Sequence, residues 1–279
     1  MQRKKITVIG LGLIGGSICK SLKDKHDVFG LDLSEDIIEE ALNCGCIQGV
    51  GGIEDADIVI AATPPKAIVG TILSVIPHMK ENSVIIDVCG VKEFFSRELN
   101  GFFEEILNKN DVKSESIKNK KITYIGCHPM AGKEKFGFRF SDERLFKGKD
   151  FIIAAEEKKE NDKTAVETVE QLAKDMGFAR ITKCTPHHHD KVIAYTSQLA
   201  HIVSSCYVKS EILPYVEGYC GGSFQDMTRV ATLDKEMWAD LFLMNKENII
   251  SETELLVKNL TDFVTALKTG DKKTVMNEF

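Results

Sequence analysis

The side chains best suited to proton chemistry lie in the stretch ITYIGCHPMAGKE, Ile122 to Glu134. An apolar run with strand character delivers His128 into a Pro- and Gly-containing turn, and Glu134 follows six residues later. A neutral imidazole at the end of a strand can take a proton at physiological pH. It needs a reacting partner, and the start of the chain offers one. KITVI, Lys5 to Ile9, runs into Gly10-Leu11-Gly12-Leu13-Ile14-Gly15 and then into an apolar-periodic helix ending at Leu22. This is G-x-G-x-x-G between a strand and a helix. Gly10 makes the tight turn, Gly12 lets backbone approach a pyrophosphate, and Gly15 lets helix pack on strand. The helix start at Leu13 and Ile14 presents free N–H groups to phosphate. A second run, DVFGL, leads into Asp32, 20 residues after Gly12. A carboxylate there accepts hydrogen bonds from ribose hydroxyls and repels a 2′-phosphate, so the expected cofactor is NAD rather than NADP. A glycine-rich turn that binds nothing is the plainer alternative; a strand, a helix and an acid at the right places argue against it.

Positioning these groups calls for a parallel sheet. Buried runs DIVIAA (Asp57 to Ala62), SVIIDV (Ser83 to Val88), Ile122 to Ile125, DFIIAA (Asp150 to Ala155) and Ala179 to Cys184 alternate with helical patterns such as Thr164 to Met176. Thr63 and Pro64 end one of these strands and start a helix near Lys66. Ligands of a doubly wound sheet sit at the carboxyl ends of its strands, so both residues are expected to touch the cofactor, and Lys92 is a candidate anion contact. Asn108 to Lys121 is polar and expected to be a surface loop, and Phe136 to Phe146 reads as irregular structure. After Thr185-Pro186 the alternation stops: His187 to Lys209 is one long helical pattern, and Glu236 to Lys268 gives one or two more. The expected fold is α/β, a Rossmann-type doubly wound sheet followed by an all-helical dimerisation domain. Its boundaries are residues 1–185 for dinucleotide binding and residues 186–279 for the helical substrate and dimerisation domain, the latter expected to pair two copies of the chain.

Within the helical part, His187-His188-His189-Asp190 invites a metal reading. Adjacent helical residues do not share a face, so three consecutive histidines are poorly placed to chelate one ion, and no metal is expected. Asp190, Ser197 and His201 fall at i, i+7 and i+11, a polar stripe on an apolar helix that suits a ligand wall or a buried network. In GGSFQDMTR a glycine-rich break precedes Asp226 and Arg229. Arg suits bidentate carboxylate recognition, and an internal Asp226–Arg229 pair is the alternative.

Composition narrows the partners. A net charge of -6 argues against general affinity for nucleic acid or anionic membrane. No apolar run approaches a bilayer span, and the basic start MQRKK runs straight into a strand, so neither a membrane segment nor a signal peptide is expected. The eight Cys form no C-x-x-C pair and are expected to be reduced, mostly buried thiols of a cytoplasmic protein.

Taken in order, VIGLGLIGGS, Asp32, DVCGVK, GCHPMAGKE, HDKVIAYTSQLAH and SFQDMTRVA…MWADLFLMN resemble the prephenate/arogenate dehydrogenases of tyrosine biosynthesis over nearly the whole chain. The first motif is generic, whereas HPMAG-x-E and the D-x-T-R-hydrophobic-A segment are specific. The resemblance implies oxidation of the ring hydroxyl of prephenate by NAD with loss of CO2, giving 4-hydroxyphenylpyruvate. His128 matches the family's catalytic His, Arg229 its substrate-carboxylate Arg, His201 a pocket His near the side-chain end, and Glu134 a pocket acid. The sheet and helices use up the chain, so no fused catalytic or regulatory domain is expected.

Two departures stand out. Gly90 occupies a place where the family often has a Ser whose hydroxyl helps orient the catalytic His. Ser197-Gln198-Leu199-Ala200-His201 stands where S-H-L-P-H is frequent; Gln198 keeps a donor and an acceptor but cannot titrate. The alternatives are an arogenate dehydrogenase, a β-hydroxyacid dehydrogenase with Lys191 as acid/base, and a non-catalytic NAD-binding regulator.

Overall fold

Eight strands, β1 (Lys5–Ile9), β2 (Asp27–Leu31), β3 (Gly49–Val50), β4 (Ile58–Ala61), β5 (Val84–Asp87), β6 (Thr123–Pro129), β7 (Asp150–Ala154) and β8 (Arg180–Cys184), form one sheet in the order β3-β2-β1-β4-β5-β6-β7-β8. The structure is a computed structural model and describes residues 3–109, 111–133, 135–156 and 160–278. Every pairing is parallel except β6 with β7. Parallel neighbours need a crossover, and α1 (Leu13–Leu22), α2 (Glu35–Asn43), α3 (Pro65–Val75), α4 (Glu93–Asn108), α5 (Val112–Asn119) and α6 (Glu160–Met176) supply them. The antiparallel β6–β7 step needs none and is spanned by a short 3₁₀ turn at Phe138–Phe140. Helices on both faces explain the uninterrupted apolar runs: β4 is buried at every position, and so is β5 even at Asp87. The outer strand β8 is mostly exposed and carries Arg180 and Lys183, charges that suit an edge.

Two segments differ from what their composition suggests. Within Asn108 to Lys121, expected to be a surface loop, Val112–Asn119 forms α5. Asp111 caps it by accepting from the Ser114 N–H at 2.9 Å, and Ile117 is its one large buried anchor among the described side chains. One cap and one apolar contact suffice for a helix that composition alone does not announce. Phe136 to Phe146 is irregular, yet Phe138 and Phe146 are buried in the core, and Phe138 lies where a side chain at Gly16 would stand.

The chain divides into two compact units, Met1–His189 and Asp190–Phe279, with the division inside helix α7 (Pro186–Ile193). The second unit is helical: a π-helical stretch at Ala194–Gln198, then α8 (Leu199–Tyr207), α9 (Gly222–Thr228), α10 (Lys235–Met244), α11 (Lys246–Thr269) and α12 (Lys272–Met276). The π stretch adds one residue to a turn and rotates all that follows. The regular Asp190, Ser197, His201 spacing therefore does not hold: Asp190 and Gln198 are buried, while Ser197 and His201 are half-buried. Among the described residues no helix is long and apolar enough to cross a membrane. All eight Cys are free thiols, and four of them (Cys19, Cys46, Cys89 and Cys127) are buried.

Candidate active site

The glycine loop has the shape a dinucleotide requires. Gly10 sits at φ +91°, and a Cβ there would lie 2.6 Å from the Ala62 carbonyl oxygen. A Cβ on Gly15 would lie 1.8 Å from the Gly10 oxygen, so helix and loop touch backbone to backbone. Around Gly12, by contrast, a Cβ would meet nothing within 4 Å: the loop is open there. Gly12 also caps α1 without a side-chain acceptor, which leaves the first N–H groups of the helix for a ligand. Leu13 and Ile14 begin the helix with their side chains against the core. Asp32 braces the loop: one carboxylate oxygen accepts from the Leu11 N–H at 2.7 Å and the other from the Ser34 N–H at 3.0 Å. At the end of β4, Thr63 Oγ1 is buried without a hydrogen-bond partner among the described residues, and Pro64 is exposed at the cap of α3. An orphaned hydroxyl, an open glycine and an uncapped helix start at the carboxyl ends of adjacent strands fit the pyrophosphate and ribose of a dinucleotide.

His128 lies at the carboxyl end of β6, on the same edge of the sheet as Gly10 and Thr63. Its ring is half-buried, and Nδ1 is 2.9 Å from Nε2 of His189. The two rings meet edge-on, with centroids 5.1 Å apart and planes at 61°. Among the described residues Nε2 of His128 has no partner. Burial, the neighbouring His189 and the cation of Lys92 hold His128 well below the usual imidazole range, so the ring is neutral. Lys92 is fully buried, and the anion it contacts is internal: it pairs with Asp87. Asp87 also accepts from the Tyr124 hydroxyl at 2.7 Å and the Cys89 N–H at 2.9 Å. The Lys92 stem crosses Gly126, where a Cβ would meet its Cδ at 3.0 Å. Burial pushes the Cys89 thiol up to about 12 and the Cys127 thiol higher still, so neither is a nucleophile at neutral pH.

Sequence reasoning missed Asp87 and His189. An Asp ending a wholly buried strand, with a Lys five residues on, was the available signal for the first. For His189 the signal was spacing: only His189 and Asp190 of the HHHD run precede buried Ile193 and Ala194 by four residues, so only they turn inward. His187 is exposed, 3.2 Å from the Glu93 carboxylate, and His188 is exposed as well. Among the described residues no three His, Cys, Asp or Glu side chains are placed to hold a metal.

The helical unit carries the remaining candidates. His201 Nδ1 donates to the Val230 carbonyl at 3.0 Å, and its ring packs on Trp238 at 4.0 Å between centroids. Gln198 turns inward: its oxygen accepts from Asn245 Nδ2 at 2.6 Å, and Asn245 Nδ2 also donates to the Asp190 carbonyl at 2.9 Å. Arg229 is exposed at the end of α9, and Ser197 lies in the π stretch. Lys191 is exposed on α7. Glu134 lies outside the described residues.

Comparison with known proteins agrees with this geometry. Residues 18–183 match the model of the prephenate dehydrogenase nucleotide-binding domain, and residues 185–279 match that of the prephenate dehydrogenase dimerization domain. A prephenate dehydrogenase of Bacillus subtilis is 28% identical, over 100% of this chain and 75% of its own. A cyclohexadienyl dehydrogenase of Zymomonas mobilis is 27% identical, over 99% of this chain and 92% of its own. The crystal structure of an A. aeolicus prephenate dehydrogenase in complex with hydroxyphenyl propionate and NAD+ superposes with a TM-score of 0.78 at 26% identity, covering 99% of this chain and 95% of that one. A nucleotide loop, a neutral histidine at a strand end and two family models that together take in most of the sequence lead to one assignment: this chain belongs to the prephenate dehydrogenase family.

Proposed function

We propose that the protein catalyses the NAD-dependent oxidative decarboxylation of prephenate to 4-hydroxyphenylpyruvate, a step of tyrosine biosynthesis. The observation that carries this reading is His128: a neutral imidazole on the cofactor edge of the sheet whose Nε2 has no partner among the described residues. In this role Nε2 accepts the proton of the ring hydroxyl. Bound NAD would supply the hydride acceptor for the carbon that bears this hydroxyl. The bond to the ring carboxylate then breaks, its electron pair makes the ring aromatic, and the phenolate oxygen can recover the proton from His128. Gly10, Gly12, Leu13, Ile14 and Gly15 cradle the pyrophosphate, Asp32 takes the ribose, and Thr63 and Pro64 line the cofactor. Arg229 pairs with a substrate carboxylate; His201 and Ser197 contribute to the substrate side, with Gln198 and Glu134 as further candidates.

The name of the Zymomonas relative specifies a ring and not a side chain, which supports arogenate as the alternative substrate. The reaction is the same; the side chain bears an ammonium in place of a keto group. We further propose a cytoplasmic homodimer formed through the helical unit. On α11 the residues Ile250, Val257, Leu260, Val264 and Leu267 lie on one stripe, each 47–57% exposed in the single chain. The decisive experiment is NADH formation with prephenate and with arogenate side by side. Turnover of prephenate supports the reading, turnover of arogenate alone shifts it to the alternative, and turnover of neither overturns it.

A further inference from the structure

We propose that His189 is the positioning residue of this site: it accepts the Nδ1 proton of His128, fixing the tautomer and the ring so that Nε2 is the nitrogen presented as base. The inference rests on the functional reading for its catalytic consequence, but its structural content stands apart. An imidazole has two nitrogens, and a neutral ring carries one proton, so a histidine acts as base at Nε2 only when the proton sits on Nδ1. Left alone in water, the ring favours the opposite tautomer. Something must hold Nδ1–H, and residue 90, beyond the end of β5, is a glycine with no side chain to offer. The group at hydrogen-bond distance is His189 Nε2, 2.9 Å away.

His189 is built to stay in place. It is 1% exposed, and its N–H donates to the Thr185 carbonyl at 3.0 Å in the first turn of α7. The edge-on ring geometry suits an N–H···N bond rather than a stack. To accept from His128, His189 keeps its own proton on Nδ1. The groups that bear on the charge of His128 are His189 from α7 and Lys92 from the β5–α4 connection; Lys92 is itself paired with Asp87, which also accepts from Tyr124 of β6. Lys92 and a second imidazole both oppose a positive charge on His128, so this ring rests neutral and carries a single proton.

Nitrogen-15 spectra of histidine-labelled protein test this directly. The protein has seven histidines, and the His128 signals are those lost in His128→Asn. The wild type should show His128 protonated on Nδ1, and His189→Leu, which keeps volume but accepts nothing, should move it toward the Nε2–H form. An Nε2–H His128 in the wild type overturns the proposal whatever the enzyme's activity. Kinetics give the second arm: kcat falls about tenfold or more in His189→Leu, with KM for NAD unchanged, and partly recovers in His189→Gln, whose amide oxygen again accepts. Wild-type turnover in His189→Leu, or equal loss in the folded Leu and Gln variants, also overturns it.

Discussion

For a histidine that must accept a proton, the neutral state is the working state, and the surroundings of His128 enforce it. Its pKa in the folded chain lies well below the usual imidazole range, while in the unfolded chain it returns to about 6.5. Between those values the unfolded chain binds the extra proton, so stability from this group is full above about pH 6.5 and is lost as pH falls toward the folded value. Urea denaturation across that window should show a shallower acid loss in His128→Asn than in the wild type. The same shift predicts that kcat/KM stays level through neutral pH and declines only well below about pH 6.5. His128→Asn should lower kcat by about 10²–10⁴-fold while NAD binding, followed by fluorescence titration, is retained. Arg229→Ala should act on binding: loss of charged hydrogen bonds worth roughly 1.5–3 kcal/mol raises KM for prephenate by about 10- to 150-fold. His128 was legible in the sequence because a strand end and a turn frame it. Its partner was not, since three consecutive histidines look alike until the helix decides which one faces inward.

At the scale of elements, the buried polar groups decide how β5, β6 and α7 are held. Asp87 and Lys92 are both fully buried, and Asp87 also accepts from Tyr124 and the Cys89 amide. Removing the cation alone leaves a buried carboxylate uncompensated, so Lys92→Met should cost about 3–5 kcal/mol in urea denaturation, and Lys92→Met combined with Asp87→Asn should recover part of it. The strands were legible from their apolar runs, and their parallel order followed from the helices between them. The π stretch was not legible, because Ala194–Gln198 keeps the apolar content of an ordinary helix. What reveals it is the inward Gln198, tied to Asn245 on the loop between α10 and α11, a pairing distant in sequence. Helix α5 escaped notice for the opposite reason, since a segment with one buried anchor carries almost no periodicity.

For the whole molecule, the change at Thr185-Pro186 from alternating strands and helices to helices alone was enough to expect a second unit. The expectation that this unit pairs two copies of the chain came from the class of fold and not from residue spacing, because an exposed apolar stripe has the same spacing as a core stripe. Covering the α11 stripe with a second copy predicts that Leu260→Glu shifts sedimentation toward the monomer with helical content unchanged. A wild-type chain that sediments as a monomer at all concentrations would contradict the homodimer. A different consequence belongs to Asp32. Its carboxylate holds the Leu11 amide of the glycine loop and, in the proposed complex, the ribose as well. A substitution that removes both the charge and the acceptor, such as Asp32→Ala, would therefore loosen the loop as well as the hold on the ribose. In that complex the choice of nucleotide and the shape of the loop would be coupled through one side chain.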